Sequence, residues 1–143
     1  MIKRTLSAGL LIFLVWGAID YLLHELILKQ TYIASEHLWR AQSEINYALI
    51  YLVVVILNGC FVAIYTRFVS PKSMATAIAF GSVYGLATGV GVGFGTYIHM
   101  PVPLTLAWGW FFGGWAKGIV AGAIVGAIVK PRQVEQGTPN QAL

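Results

Sequence analysis

Four long apolar stretches, at about Leu6–Leu28, Ile45–Phe68, Met74–Ile98 and Leu106–Val129, leave this 143-residue chain few ways to fold. Each reaches the roughly 20 residues that an α-helix needs to cross about 30 Å of hydrocarbon. A backbone facing lipid must satisfy its own hydrogen bonds, and stretches this long and continuous suit helices rather than the short alternating strands of a barrel. Polar or helix-breaking residues close each stretch: Lys29-Gln30, Arg67 with Ser70-Pro71-Lys72, His99-Met100-Pro101-Val102-Pro103, and Lys130-Pro131-Arg132. The sequence therefore predicts an all-α integral membrane protein, with four transmembrane helices packed as a bundle over residues 1–132. A polar tail over 133–143, containing Gly137 and Pro139, is expected to be disordered.

Composition excludes the soluble alternative. Only 10% of the residues are charged and 58% are hydrophobic, against about 25% charged in ordinary globular domains, so lipid must cover most of the surface. The net charge of +4 is no nucleic-acid signal, because the basic residues stand at segment ends and form no dense run. Cys60 is the single cysteine and lies in an apolar stretch, which rules out an intramolecular disulfide and favours an inert thiol. The N-terminal apolar stretch exceeds the usual length of a signal-peptide core and ends in no small-x-small site, so it reads as a retained first span.

The basic residues also set a topology. Lys3, Arg4, Arg67, Lys72, Lys130 and Arg132 fall on one side of a four-span arrangement, and only Lys29 and Arg40 on the other. The positive-inside rule then gives an N-in/C-in protein, expected in the bacterial inner membrane as a multi-pass component. The outer connection from Lys29 to Glu44 suits an amphipathic helix or a hydrated loop, with Tyr32 and Trp39 at headgroup depth.

Glycines recur at a fixed interval in the last two spans: Gly81, Gly85, Gly89 and Gly93, then Gly114, Gly118, Gly122 and Gly126. Residues four apart share a helix face, so each stripe is a groove into which another backbone can press, in the manner of a glycine zipper. The contact could lie within one protomer or between protomers. Placed inside transmembrane helices, these glycines cannot form a phosphate loop, which needs a preceding strand.

A few polar residues stand where hydrocarbon makes them costly. Lys117 falls near the middle of the fourth span, where a lysine costs on the order of 2.5–3.5 kcal/mol. Asp20, about one helical turn nearer the outer surface, is its natural partner. His24 lies one turn beyond Asp20 with Glu25 beside it, and Asn58, Thr88 and Thr96 could face the same interior. This intramembrane cluster of Asp20, His24, Glu25, Asn58 and Lys117 reads either as a polar plug that fixes helix register or as a proton or ion relay. His24, His37 and His99 all fall on the outer half with several carboxylates, a chemistry that would suit a metal or an axial haem ligand. Their spacing matches no dense metal motif.

The run Asp20-Tyr21-Leu22-Leu23-His24-Glu25, continuing to Tyr32 and Leu38-Trp39-Arg40, resembles the first helix and outer loop of a group of small uncharacterised four-helix bacterial membrane proteins. Pro101-Val102-Pro103-Leu104 and Trp108 are similar to that group too. The resemblance implies the architecture and compartment, draws interest to Asp20, His24, Trp39 and Arg40, and carries no activity. The sequence shows no catalytic motif and calls for no cofactor, so the expected role is a non-enzymatic structural or accessory component. Its expected partners are membrane lipid, further copies of itself or other membrane proteins, and not nucleic acid. A small proton- or ion-coupled transporter or channel using Asp20, His24 and Lys117 is the alternative, and metal or haem binding on the outer side is the second. The topology makes a direct prediction. In a Cys60→Ser background, cysteines at Lys3 and Lys130 should react with an impermeant maleimide from the same face of sealed vesicles, and labelling from opposite faces would contradict it.

Overall fold

A computed structural model describes residues 2–129, and all the regular structure among them is helical. Helix α1 (Ile2–Tyr21) runs directly into a π-helical turn, Leu22–Ile27. A short helix α2 (Lys29–Ala34) and two 3-10 turns (Glu36–Leu38, Gln42–Glu44) lead into α3 (Tyr47–Phe68). Two further long helices, α4 (Met74–His99) and α5 (Leu104–Ile128), complete the chain as described. Four helices are long and apolar enough to cross a membrane, and they pack as a bundle. The first extends to Ile2, where the sequence reading began it at Leu6, because Ile2-Lys3-Arg4 simply continues the helix beyond the apolar run. The expected tail over 133–143 and the basic residues Lys130 and Arg132 lie outside the described residues.

Helix starts and ends follow ordinary end chemistry. The Asn46 side chain accepts from the Leu49 amide (3.0 Å) and Ser73 Oγ from the Thr76 amide (3.1 Å), satisfying donors that the first turns of α3 and α4 leave free. At the far end of α3 the Lys72 ammonium donates to the Tyr65 and Val69 carbonyls, a cation at the negative end of the helix dipole.

The closest packing joins α4 to α5. A Cβ added to Gly85 would stand 2.8 Å from the Gly114 carbonyl oxygen, and one on Gly89 would stand 2.6 Å from that of Phe111. Gly81 meets the Gly118 oxygen, Gly93 the Ala107 oxygen and Gly122 the Ala77 oxygen in the same way. Gly126 continues the line against Ala77 and Met74. Both glycine stripes therefore face each other within one chain, backbone against backbone, where van der Waals contact replaces the hydrophobic drive that lipid cannot supply.

Helix α1 lays Ala8, Ile12 and Trp16, spaced four apart, against this pair and α3. Asn58 Nδ2 donates to the Gly9 carbonyl at 2.7 Å, tying α3 to α1. The end of the bundle formed by Ile2, the α3–α4 turn and Ile128 is the base. There Phe61 and Tyr65 of α3 pack with Phe80 and Tyr84 of α4. Toward the opposite, cap end, α3 has no buried residue from Tyr47 to Leu57. The helices thus close at the base and part at the cap.

The π turn has a packing reason. Leu23 fills the space beside Gly113, and Leu28 that beside Gly109, where an added Cβ would meet Leu28 Cδ1 at 2.7 Å. Five residues advance an α-helix about 140° past a full turn, which would aim these two leucines apart. The i→i+5 winding, with the Leu28 amide donating to the Leu23 carbonyl at 2.8 Å, brings both onto α5.

The seam predicts an asymmetry among glycines. Gly118→Leu or Gly89→Leu should destabilise the folded protein in detergent by about 3 kcal/mol or more, the upper end of overpacking costs. Gly91→Leu, which meets nothing within 4 Å, should stay within about 1 kcal/mol. Equal unfolding midpoints for the three variants would contradict the seam.

Candidate functional site

Parting at the cap end leaves a half-open cleft of about 370 Å³, bounded by α1, the cap half of α3, and the α4–α5 pair. Its polar end is an ion pair, with Lys117 Nζ 2.6 Å from Asp20 Oδ1. Lys117 sits midway along α5, and its flexible stem reaches toward the cap to meet Asp20 on α1. Trp16, one turn before Asp20, donates Nε1–H to the Lys117 carbonyl at 2.9 Å, and its ring lies 5.8 Å from the ammonium. The indole thereby fixes α5 on α1 beside the pair and adds a favourable cation–π contact.

The pair is not sealed. Asp20 and Lys117 retain 30% and 25% side-chain exposure, and His24 retains 39%, all turned to the cleft they line. His24 Nε2 stands 4.0 Å from Asp20 Oδ1, too far for a hydrogen bond. The other ring nitrogen, Nδ1, is 2.7 Å from the Tyr32 hydroxyl, whose oxygen accepts from Trp110 Nε1 at 2.6 Å. Burial raises the Tyr32 phenol above its ordinary range, opposed by the Trp110 hydrogen bond and reinforced by the negative Asp20. The phenol accordingly keeps its proton.

The connection between α1 and α3 covers the cleft. Leu28 is buried with Val102 and Leu106, and Tyr32, Leu38, Trp39 and Trp110 pack around them. Tyr32 and Trp39 meet edge to face at 5.5 Å, and Trp39 meets Trp110 at 6.1 Å. Trp39 Nε1 donates to Ser35 Oγ (3.1 Å), itself bonded to the Thr31 carbonyl, which anchors the cap. Tyr32 and Trp39 are therefore turned inward over the cleft, where the sequence reading put them at headgroup depth.

Several expected site residues lie elsewhere. Glu25 is exposed and does not line the cleft, since adjacent residues of a helix point about 100° apart. Asn58 bonds the Gly9 carbonyl toward the base and does not line the cleft. His37 and His99 are exposed and Arg40 faces outward, and among the described residues no three His, Cys, Asp or Glu side chains gather around a point that could hold a metal. Thr88 and Thr96 do line the cleft, Thr88 Oγ1 donating to the Tyr84 carbonyl at 3.0 Å. Sequence reasoning passed over Trp16, Tyr84 and Trp110. Spacing was the available signal: Trp110, Gly114 and Lys117 share one face of α5, as Trp16 and Asp20 share one face of α1.

The fold and the site define a four-helix membrane protein with an ionisable cleft inside its bundle. Comparison with protein-family models, curated proteins and solved structures finds no match.

The charge pair makes a prediction of its own. Asp20→Asn leaves an uncompensated ammonium and should lower stability by about 1–3 kcal/mol, less than a fully buried pair because the cleft screens it. Adding Lys117→Met should restore part of that loss. Additive single-site losses in detergent denaturation would show that the two side chains do not act on one another.

Proposed function

We propose that this protein is a small proton-coupled carrier of the bacterial inner membrane, with its termini on the cytoplasmic side and its cleft in the outer half of the bilayer. The observation that carries this reading is that Asp20, Lys117 and His24 line an accessible cleft instead of forming a dry plug. A lysine in hydrocarbon that served only to fix helix register needs a partner but no cavity beside it. An intramembrane acid, histidine and lysine bordering a cavity instead form a set whose charge can change with occupancy. Closure of the base half by Phe61, Tyr65, Phe80 and Tyr84 supports a cleft that does not run through to the base, as a single state of alternating access requires. The basic residues on the terminal side of the bundle support the orientation.

A structural role is the second reading, favoured by the way the pair and Trp16 stitch α1 to α5. Hydration separates the two, because N-ethylmaleimide reacts with a thiolate and needs water around it. In a Cys60→Ser background, cysteine at Thr88, a cleft position, should react at least about tenfold faster than cysteine at the buried Val62. Equal, slow rates at both positions would mean a dry pair and would leave the structural role standing.

A further inference from the structure

We infer that the cleft accepts a lipid-soluble molecule with an aromatic hydroxyl head, a phenol or hydroquinone, which enters sideways from the bilayer between α3 and α4. This rests on the cleft being a ligand site and adds the class of ligand.

The head group follows from an inventory of protons. Trp110 Nε1–H can only donate, so the Tyr32 oxygen accepts from it. The single Tyr32 proton then finds its acceptor at His24 Nδ1, 2.7 Å away, and in this fully satisfied arrangement the imidazole carries its proton on Nε2. That N–H faces Asp20 Oδ1 across 4.0 Å. The group that completes the chain must accept from Nε2–H and donate to the carboxylate. A hydroxyl does both. A ketone or ether oxygen cannot donate, an ammonium cannot accept, and a second carboxylate would be repelled by Asp20.

The walls select the rest of the molecule. Rings of Trp16, Tyr84, Trp110, Tyr32 and Trp39 border the cleft, and a planar aromatic head can pack among them by stacked or edge-to-face contacts. The volume of about 370 Å³ falls in the usual range for small-molecule sites, roughly 300–1,000 Å³. The side wall is open: Leu57 of α3 and Val92 of α4 both border the cleft and yet remain 44% and 58% exposed. With α3 unburied from Tyr47 to Leu57, an apolar tail attached to the head can stay in lipid while the head sits inside.

Protection of the Thr88→Cys thiol in nanodiscs tests this, with 4-octylphenol as probe, 4-octylanisole as the same molecule without a donor, and 1-octanol as a hydroxyl without a ring. Octylphenol should slow N-ethylmaleimide labelling about tenfold more than either control, the worth of one hydrogen bond to a charged group. That preference should vanish in His24→Phe and shrink in Tyr32→Phe, the second variant serving if the first fails to fold. Protection by octylanisole equal to that by octylphenol would assign the 4.0 Å gap to water and overturn the hydroxyl requirement, and equal protection by octanol would overturn the aromatic one. Rapid labelling unaffected by any of the three would overturn the ligand class while leaving the hydrated cleft intact. Absence of labelling without any probe would remove the ligand site as well.

Discussion

A lysine placed midway along a helix that must lie in hydrocarbon demands an answer from the rest of the structure. Its ammonium can be neutralised, hydrated or paired, and this bundle pairs it. Asp20 reaches it from α1 at 2.6 Å, and both side chains line the cleft. The pair in turn sets which helix lies beside which. Bringing Asp20 to Lys117 requires α1 against α5 over the level of Trp16, whose indole takes a free lone pair of the Lys117 carbonyl. Leu23 and Leu28 then settle into the spaces beside Gly113 and Gly109 through the i→i+5 winding, and His24, one turn beyond Asp20, stands beside it.

The architecture was largely legible from residue order because its cause is local. Long apolar runs bounded by Lys, Arg and Pro can only be spans, and glycines every fourth residue can only line one helix face. Which face meets which partner is a matter of three dimensions, yet here the two stripes meet each other because α4 and α5 are consecutive and joined by a short connection, Met100–Pro103. Nearest neighbours in sequence were the simplest partners in space.

The site was legible only in part, and the reason differs by residue. Lys117 and Asp20 stood out because charge in hydrocarbon has few explanations. Glu25 adjoins His24 in sequence, but adjacent helical residues point about 100° apart, so sequence nearness does not bring it to the cleft. Asn58 is as polar as a relay needs, but its amide is used on the Gly9 carbonyl, a bond no spacing rule reveals. The aromatic residues of the cap looked like interfacial anchors, since tryptophan and tyrosine at a span end usually are. Their inward turn depends on the short helix α2 folding back over α5, a tertiary event with no periodic signature.

The α4–α5 seam has a mechanical meaning. Two helices whose backbones touch along four successive glycine levels have no side chains between them to repack, so they behave as a single stiff plate. Any widening or narrowing of the cleft must then be borne by the other two long helices. Of these, α1 is clamped toward its C-terminal end by Trp16 and the charge pair, while α3 is held mainly from Val54 onward, through Val54, Asn58, Phe61 and Tyr65. The half of α3 with no buried residue, Tyr47 to Leu57, is thus the least tightly packed wall of the cleft.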